Sequence, residues 1–155
     1  MSRNAANALR FQDEIQAMIA AYHAQLDRVL QAAGFVTWEA LTVGNTFSPG
    51  TPVDQGFAVN SWWVRIGRSP DGGTHPNPPT TPNPGERLDP AAAFQQGAIE
   101  IAGAKFGDVL VFSNGAAYII PLEFGHSPQA PGGWVRLTVA QWQAIVERVV
   151  AAMPV

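Results

Sequence analysis

The chain has no cysteine, a single lysine and little charge of either sign. Without cysteine there is no disulfide framework, no thiolate metal site and no cysteine nucleophile. The basic residues are eight arginines and Lys105, scattered among twelve carboxylates for a formal net charge of −3. No basic cluster is present to neutralise a row of phosphates, which argues against specific nucleic-acid binding as a primary role. A mildly acidic lining suits instead a channel through which DNA slides, because it repels phosphates rather than holding them. Long apolar runs are missing too. The opening MSRNAANALRFQDEI has no leader-type apolar core, and no stretch approaches a membrane span. The expectation is a chain made in a cytoplasm, with no membrane contact, whose final location comes from assembly.

What is present is one domain's worth of chain. At 155 residues it buries a real core without staples, and residues 1–155 read as a single unit. The hydrophobic fraction is 46% against a charged fraction of 14%, low for a free monomer's surface. Two readings account for this: a surface partly covered by neighbouring subunits, or an alanine- and glycine-rich source proteome.

Phe11, Ile15, Met18, Tyr22, Leu26, Val29 and Ala33 recur at spacings of four and three, one face of a long helix that Gly34 is placed to stop. Thr37 would cap a short second helix through Val43. Phe57–Ile66 (FAVNSWWVRI) has strand character, with the adjacent Trp62 and Trp63 on opposite faces, one for the core and one needing a cover. Ser69–Gly85 holds six prolines and three glycines, which predicts an extended arm inserted over about 68–89. Asp89-Pro90 starts a helix to about Ala102. Asp108–Ser113 and Tyr118–Phe124 read as strands about an Asn114-Gly115 turn, with Pro121 pushing the second toward an edge. Thr138 and Gln141 fit a capping box before a terminal helix whose apolar stripe includes Trp142, Ile145, Val146, Val149 and Val150. The fold class that follows is α+β: a small antiparallel sheet packed by a long N-terminal helix, a middle helix and a C-terminal helix, with a proline-rich arm.

Catalytic chemistry has little to stand on. His23, His75 and His126 lie far apart and lack paired-ligand spacing, so no metal or other cofactor is expected. A small hydrolase would lean on Glu123 and His126 with Ser127 beside them, yet proximity in sequence does not aim a base at a nucleophile. For Glu123 a structural ion pair or a loop-capping carboxylate is the simpler role. Trp38, Trp63 and Trp134 offer a sugar- or base-stacking platform only if the fold gathers them on one exposed face.

Two blocks remain. The first is Thr51-Pro52-Val53-Asp54-Gln55-Gly56 followed by Asn60-Ser61-Trp62, a turn ending in glycine that leads into a strand. The second runs from Asn114 and Tyr118 through Glu123-Phe124-Gly125-His126-Ser127, Gln129-Ala130-Pro131 and Gly133 to Val135-Arg136-Leu137-Thr138-Val139. Its glycines and prolines imply a tight loop of fixed shape. In order and rough spacing these blocks resemble the neck, tail-completion or minor-tail protein family of tailed bacteriophages, from about Thr51 to the C-terminus. Gln55 stands where threonine is usual, Ser61 interrupts the common Asn-Trp pair, Trp134 replaces a frequent methionine, and 36–50 is longer than usual.

The resemblance implies a structural protein and not an enzyme: a virion subunit forming a ring at the head–tail junction, with an open path for DNA. Its partners would be further copies of itself (six before twelve), a head-closure or stopper protein, and tail-terminator or tail-tube proteins. The nearest alternative is a tail terminator capping the tube. Ring neighbours meet through two different surfaces, and the 69–85 arm and the Glu123–Gly133 loop are the candidates for them.

Overall fold

A computed structural model describes residues 3–67 and 73–154, the side chains of residues 3 and 5 excepted. In chain order it has α1 (Arg3–Leu41), α2 (Phe57–Asn60), β1 (Trp62–Gly67), α3 (Ala91–Ala102), β2 (Val109–Asn114), α4 (Ile119–Glu123), α5 (Val135–Ala140) and α6 (Trp142–Ala152). The fold is α+β. The sheet is one antiparallel pair, β1 with β2, in register from Trp62 opposite Asn114 to Gly67 opposite Val109. Among the described residues no helix is long and apolar enough to cross a membrane.

Helix α1 is longer than its glycine signal implies, at 39 residues. Gly34 does not stop it. A side chain there would collide with Leu110 and Ile101, so this glycine lets α1 approach the sheet and α3 closely. The chain turns away at Gly44, at φ +86, whose N–H bonds back to the Glu39 carbonyl at 2.8 Å. Thr37 accordingly caps nothing: it lies inside the helix and its hydroxyl donates to the Ala33 carbonyl at 2.8 Å.

The C-terminal third of α1 is the centre of the packing. On one side Val29, Ala32, Ala33 and Val36 meet Ile145, Val146, Val149 and Met153 of the terminal segment. On the other, Trp38 and Leu41 join Trp62, Val64, Ile101, Ala130 and Trp134 in the main cluster, with Phe94, Leu110 and Phe112 at its margin. Trp38 stacks on Phe112 at 6.3 Å between centroids and donates its indole N–H to the Phe94 carbonyl at 3.0 Å. The first two-thirds of the helix are different. Residues 4–25, side chain 5 excepted, are exposed, including Phe11, Ile15, Met18 and Tyr22.

Three expected elements take other forms. Phe57–Asn60 is a single helical turn, and the strand begins only at Trp62. The turn ends as Asn60 Nδ2 and Ser61 Oγ return to the carbonyls of Gly56 and Phe57, local bonds that compete with a ladder. Tyr118–Phe124 is not a strand: α4 occupies it, with Pro121 inside the first helical turn, where the missing N–H costs nothing. Thr138 lies within α5 and donates to the Trp134 carbonyl at 2.7 Å, so it caps no terminal helix. Trp142 and Val150, expected in the buried stripe, are about half exposed; Ile145 and Val149 carry that stripe.

Trp62 is buried and Trp63 half-buried, on opposite faces as the alternation requires. The cover for Trp63 comes from the arm, since the His75 ring sits 4.9 Å from the Trp63 centroid. Residues 68–72 of the arm lie outside the described residues. The rest folds back on its own chain: Arg65 donates to the Thr74 carbonyl, His75 meets the Asn60 carbonyl at 3.2 Å, and Leu88 N–H bonds to the Gln55 carbonyl at 2.8 Å. Helix α3 starts where Asp89 Oδ1 accepts the Ala91 N–H at 2.9 Å.

Gly97, buried in α3, faces the Trp38 indole so closely that a Cβ would overlap the ring. Helix propensity favours alanine over glycine by roughly 1 kcal/mol, whereas overpacking a rigid indole costs about 1–3 kcal/mol. Gly97→Ala is expected to destabilise the fold by a net of up to about 2 kcal/mol, read by urea unfolding of tryptophan fluorescence. A stabilised variant would refute the close approach.

Candidate functional site

The two sequence blocks meet in space. They line one cleft of about 410 Å³, with Pro52–Ala58 on one wall and Tyr118, Leu122, His126, Ser127 and Gln129 on the other. Gln129 joins the walls. Its side-chain amide accepts the Val53 N–H and donates to the Val53 carbonyl, both at 3.0 Å, imitating a rung of antiparallel sheet. Asn114 adds a second tie, donating to the Ala58 carbonyl at 2.8 Å while accepting the Ala116 N–H at 2.8 Å. Tyr118 stands over the first block, its ring 6.1 Å from that of Phe57. Partial burial, then the Asp54 charge, push its phenol above the ordinary tyrosine value, against a backbone hydrogen bond at Ala58 that lowers it.

Glu123 organises the second block. It is buried, and its two carboxylate oxygens accept the backbone N–H groups of Trp134 and Val135 at 2.9 Å and Arg136 at 3.0 Å. The Arg136 guanidinium adds a charge-assisted bond at 3.0 Å and a further one, at 3.1 Å, to the Glu123 carbonyl. One carboxylate therefore satisfies the otherwise unpaired first N–H groups of α5. Desolvation raises its pKa, but the N–H donors of Arg136, Trp134 and Val135 and the Arg136 side chain together outweigh this and hold it below the ordinary glutamate value. Gly133, at φ +79, has no room for a side chain because one would run into Glu123 itself. The geometry shows both expected roles at once, a loop-capping carboxylate and an ion pair with Arg136.

The Glu123, His126 and Ser127 side chains are each engaged elsewhere. His126 Nδ1 lies 2.8 Å from the Pro121 carbonyl, and Ser127 Oγ accepts the Gln129 N–H at 3.3 Å. No chain of hydrogen bonds links carboxylate, imidazole and hydroxyl as nucleophilic catalysis requires. The tryptophan platform is also overturned: Trp38 and Trp134 are fully buried, and Trp63 is covered by His75.

Fourteen residues of the two blocks, the candidate contact positions, divide by burial. Thr51, Pro52, Gly56, Trp62, Glu123 and Ser127 are buried and shape the fold from within. Asp54, Tyr118, Gly125, His126, Gln129, Pro131 and Arg136 are exposed, with Asn114 between the two groups. Apolar residues in and beside the second block complete the surface. Ile120, Phe124, Leu137 and Val139 expose large apolar side chains beside them, and the Arg136 guanidinium lies 4.6 Å over the Phe124 ring. The signal for these was available: apolar residues flanking glycines in a loop whose core positions were already filled. No protein-family model, curated protein or solved structure matches this chain.

Glu123→Gln replaces two acceptor oxygens by one and aims an N–H₂ at backbone donors. It is expected to cost about 2–4 kcal/mol at neutral pH. The wild-type contribution has a defined pH window. Because the folded pKa is depressed, the stabilisation is fully present above the ordinary glutamate range and lost as pH falls through it toward the folded value. Urea unfolding from about pH 7 down to pH 3 should show the gap between wild type and Glu123→Gln closing; a gap independent of pH would refute the clamp.

Proposed function

We propose that this protein is a structural subunit that assembles into a ring at the head–tail junction of a tailed bacteriophage. The observation that carries the reading is the construction of the Glu123–Val139 region. A buried carboxylate and four donors hold its loop and α5 in one shape, while the same region turns Phe124, Leu137 and Val139 outward. Preorganised apolar surface of this kind lowers the ordering cost of a protein–protein contact. The resemblance of the two blocks to the neck and tail-completion family supplies the place.

In this reading the loop with α5 is one subunit contact, and the remainder of the ring closes through a different surface of the next copy. Six copies suit a ring stacked on a tail tube, and twelve a ring on the head side. Partners above and below would be a head-closure or stopper protein and a terminator or tube protein. The near-neutral, slightly acidic chain lets DNA pass without gripping it. The described part of the arm is held to its own body, which leaves the loop the better supported of the two candidate contact surfaces.

Phe124→Asp tests the reading. The ring is 63% exposed, so the variant should lose only the contact with Arg136, about 0.5–1 kcal/mol, and stay folded. It is expected to be excluded from purified phage particles that incorporate the wild-type chain, read by mass spectrometry of the virions and by electron microscopy of the neck. A wild-type chain absent from virions, or a Phe124→Asp chain incorporated as well as wild type, would sink the proposal.

A further inference from the structure

The exposed two-thirds of α1 carry a seam that nothing among the described residues covers. Seven-residue spacing puts Ile15, Tyr22, Val29 and Val36 at one position and Phe11, Met18, Gln25 and Ala32 at the other, the pattern of a two-stranded coiled coil with one polar residue in its seam. Over Val29–Val36 the seam is occupied by α6. Helix α6 ends at Ala152, and the seam continues beyond it with Tyr22 61%, Met18 68% and Phe11 65% exposed. Residues 4–25 project for about 33 Å at 1.5 Å per residue. No glycine or proline interrupts them.

We infer that the occupant of this seam is the same seam of a second copy of this chain. Three observations select a copy over another partner. A heptad seam is self-complementary, each side chain entering the hole formed by its counterparts. The positions beside it are Gln12, Glu14, Ile19 and Ala21, too sparsely charged to repel an identical helix or to attract an oppositely charged one. Phe11, Ile15, Met18, Ile19 and Tyr22 leave uncovered an area on the order of 600 Å², about three-quarters of the roughly 800 Å² per partner of a stable interface. The contact continues the packing that α6 begins on the same line of α1. It is independent of the proposed place in a virion, since two copies meeting in solution are enough to form it.

The test uses the absence of cysteine. Sedimentation of the full chain should give a dimer or a larger even assembly, and Ile15→Glu with Met18→Glu should raise its dissociation constant on the order of a hundredfold or more. Both positions are exposed in the single chain, so the urea midpoint of the tryptophan core, read at concentrations dilute enough that both chains are monomeric, should not move. Single-cysteine chains supply the second readout: Ile15→Cys and Met18→Cys should cross-link between copies under mild oxidation, and Asp13→Cys, on the opposite face of α1, should not. A monomeric wild-type chain, an assembly indifferent to the double substitution, or cross-linking equal at all three positions would overturn the inference. So would a monomer that binds phosphatidylglycerol vesicles through this face, which would make the occupant a lipid surface. A Phe124→Asp chain that fails to enter virions but still pairs through α1 would separate this contact from the ring contact.

Discussion

The end of α1 is a buried place where carbonyls and indoles must satisfy one another. The Leu41 carbonyl, near the last turn, accepts the Thr51 hydroxyl at 2.6 Å and the Trp134 indole N–H at 3.0 Å. Thr51 in turn accepts the Trp62 indole N–H at 2.8 Å. Three segments far apart in sequence are thus tied to one helix terminus, inside an apolar cluster where any unpaired group would cost several kcal/mol. Among the described residues no buried side-chain nitrogen or oxygen lacks a partner. The cleft between the two blocks, the orientation of β1 and the position of α5 all inherit their placement from this junction. A small two-stranded sheet, marginal by itself, is held in place because its first residue is one of the three bound there.

That junction also explains which parts of the structure were legible in the sequence. The α+β class, the α3 start at Asp89-Pro90, strand β2 and the opposite faces of Trp62 and Trp63 follow from local rules that nothing distant overrides. Glycine as the terminator of α1 was legible, but which glycine was not. Gly34 and Gly44 are distinguished by their surroundings: Leu110, seventy-six residues away in sequence, packs against the first, while the second takes φ +86 against the Pro49 backbone. Phe57–Asn60 and Tyr118–Phe124 have strand-forming composition and are helical because side-chain and backbone bonds close turns there. Composition reports what a segment tolerates, and tertiary contacts decide among the tolerated states.

The site was legible to a different depth. The sequence blocks pointed to the correct region, and the capping role of Glu123 was among the readings open to a lone carboxylate before a helix. The division of the blocks into buried and exposed members was not legible. Thr51 and Asp54 sit three residues apart in one turn, yet one serves the α1 terminus and the other faces solvent. A residue pattern records both requirements together. Only the three-dimensional arrangement separates positions that keep the loop in shape from those able to meet another molecule.

The continuity of α1 has a mechanical consequence. From Trp38 to Asn4 the helix spans roughly 50 Å, with its root clamped between α6 on one side and α3 and the sheet on the other. A stiff rod fixed at one end works as a pointer. A tilt of about 5° at the root would displace its tip by about 4 Å, close to one residue step along a strand. The fit of Trp38 against Gly97 and Phe112 therefore sets not only local stability but also the direction in which a distant surface is presented.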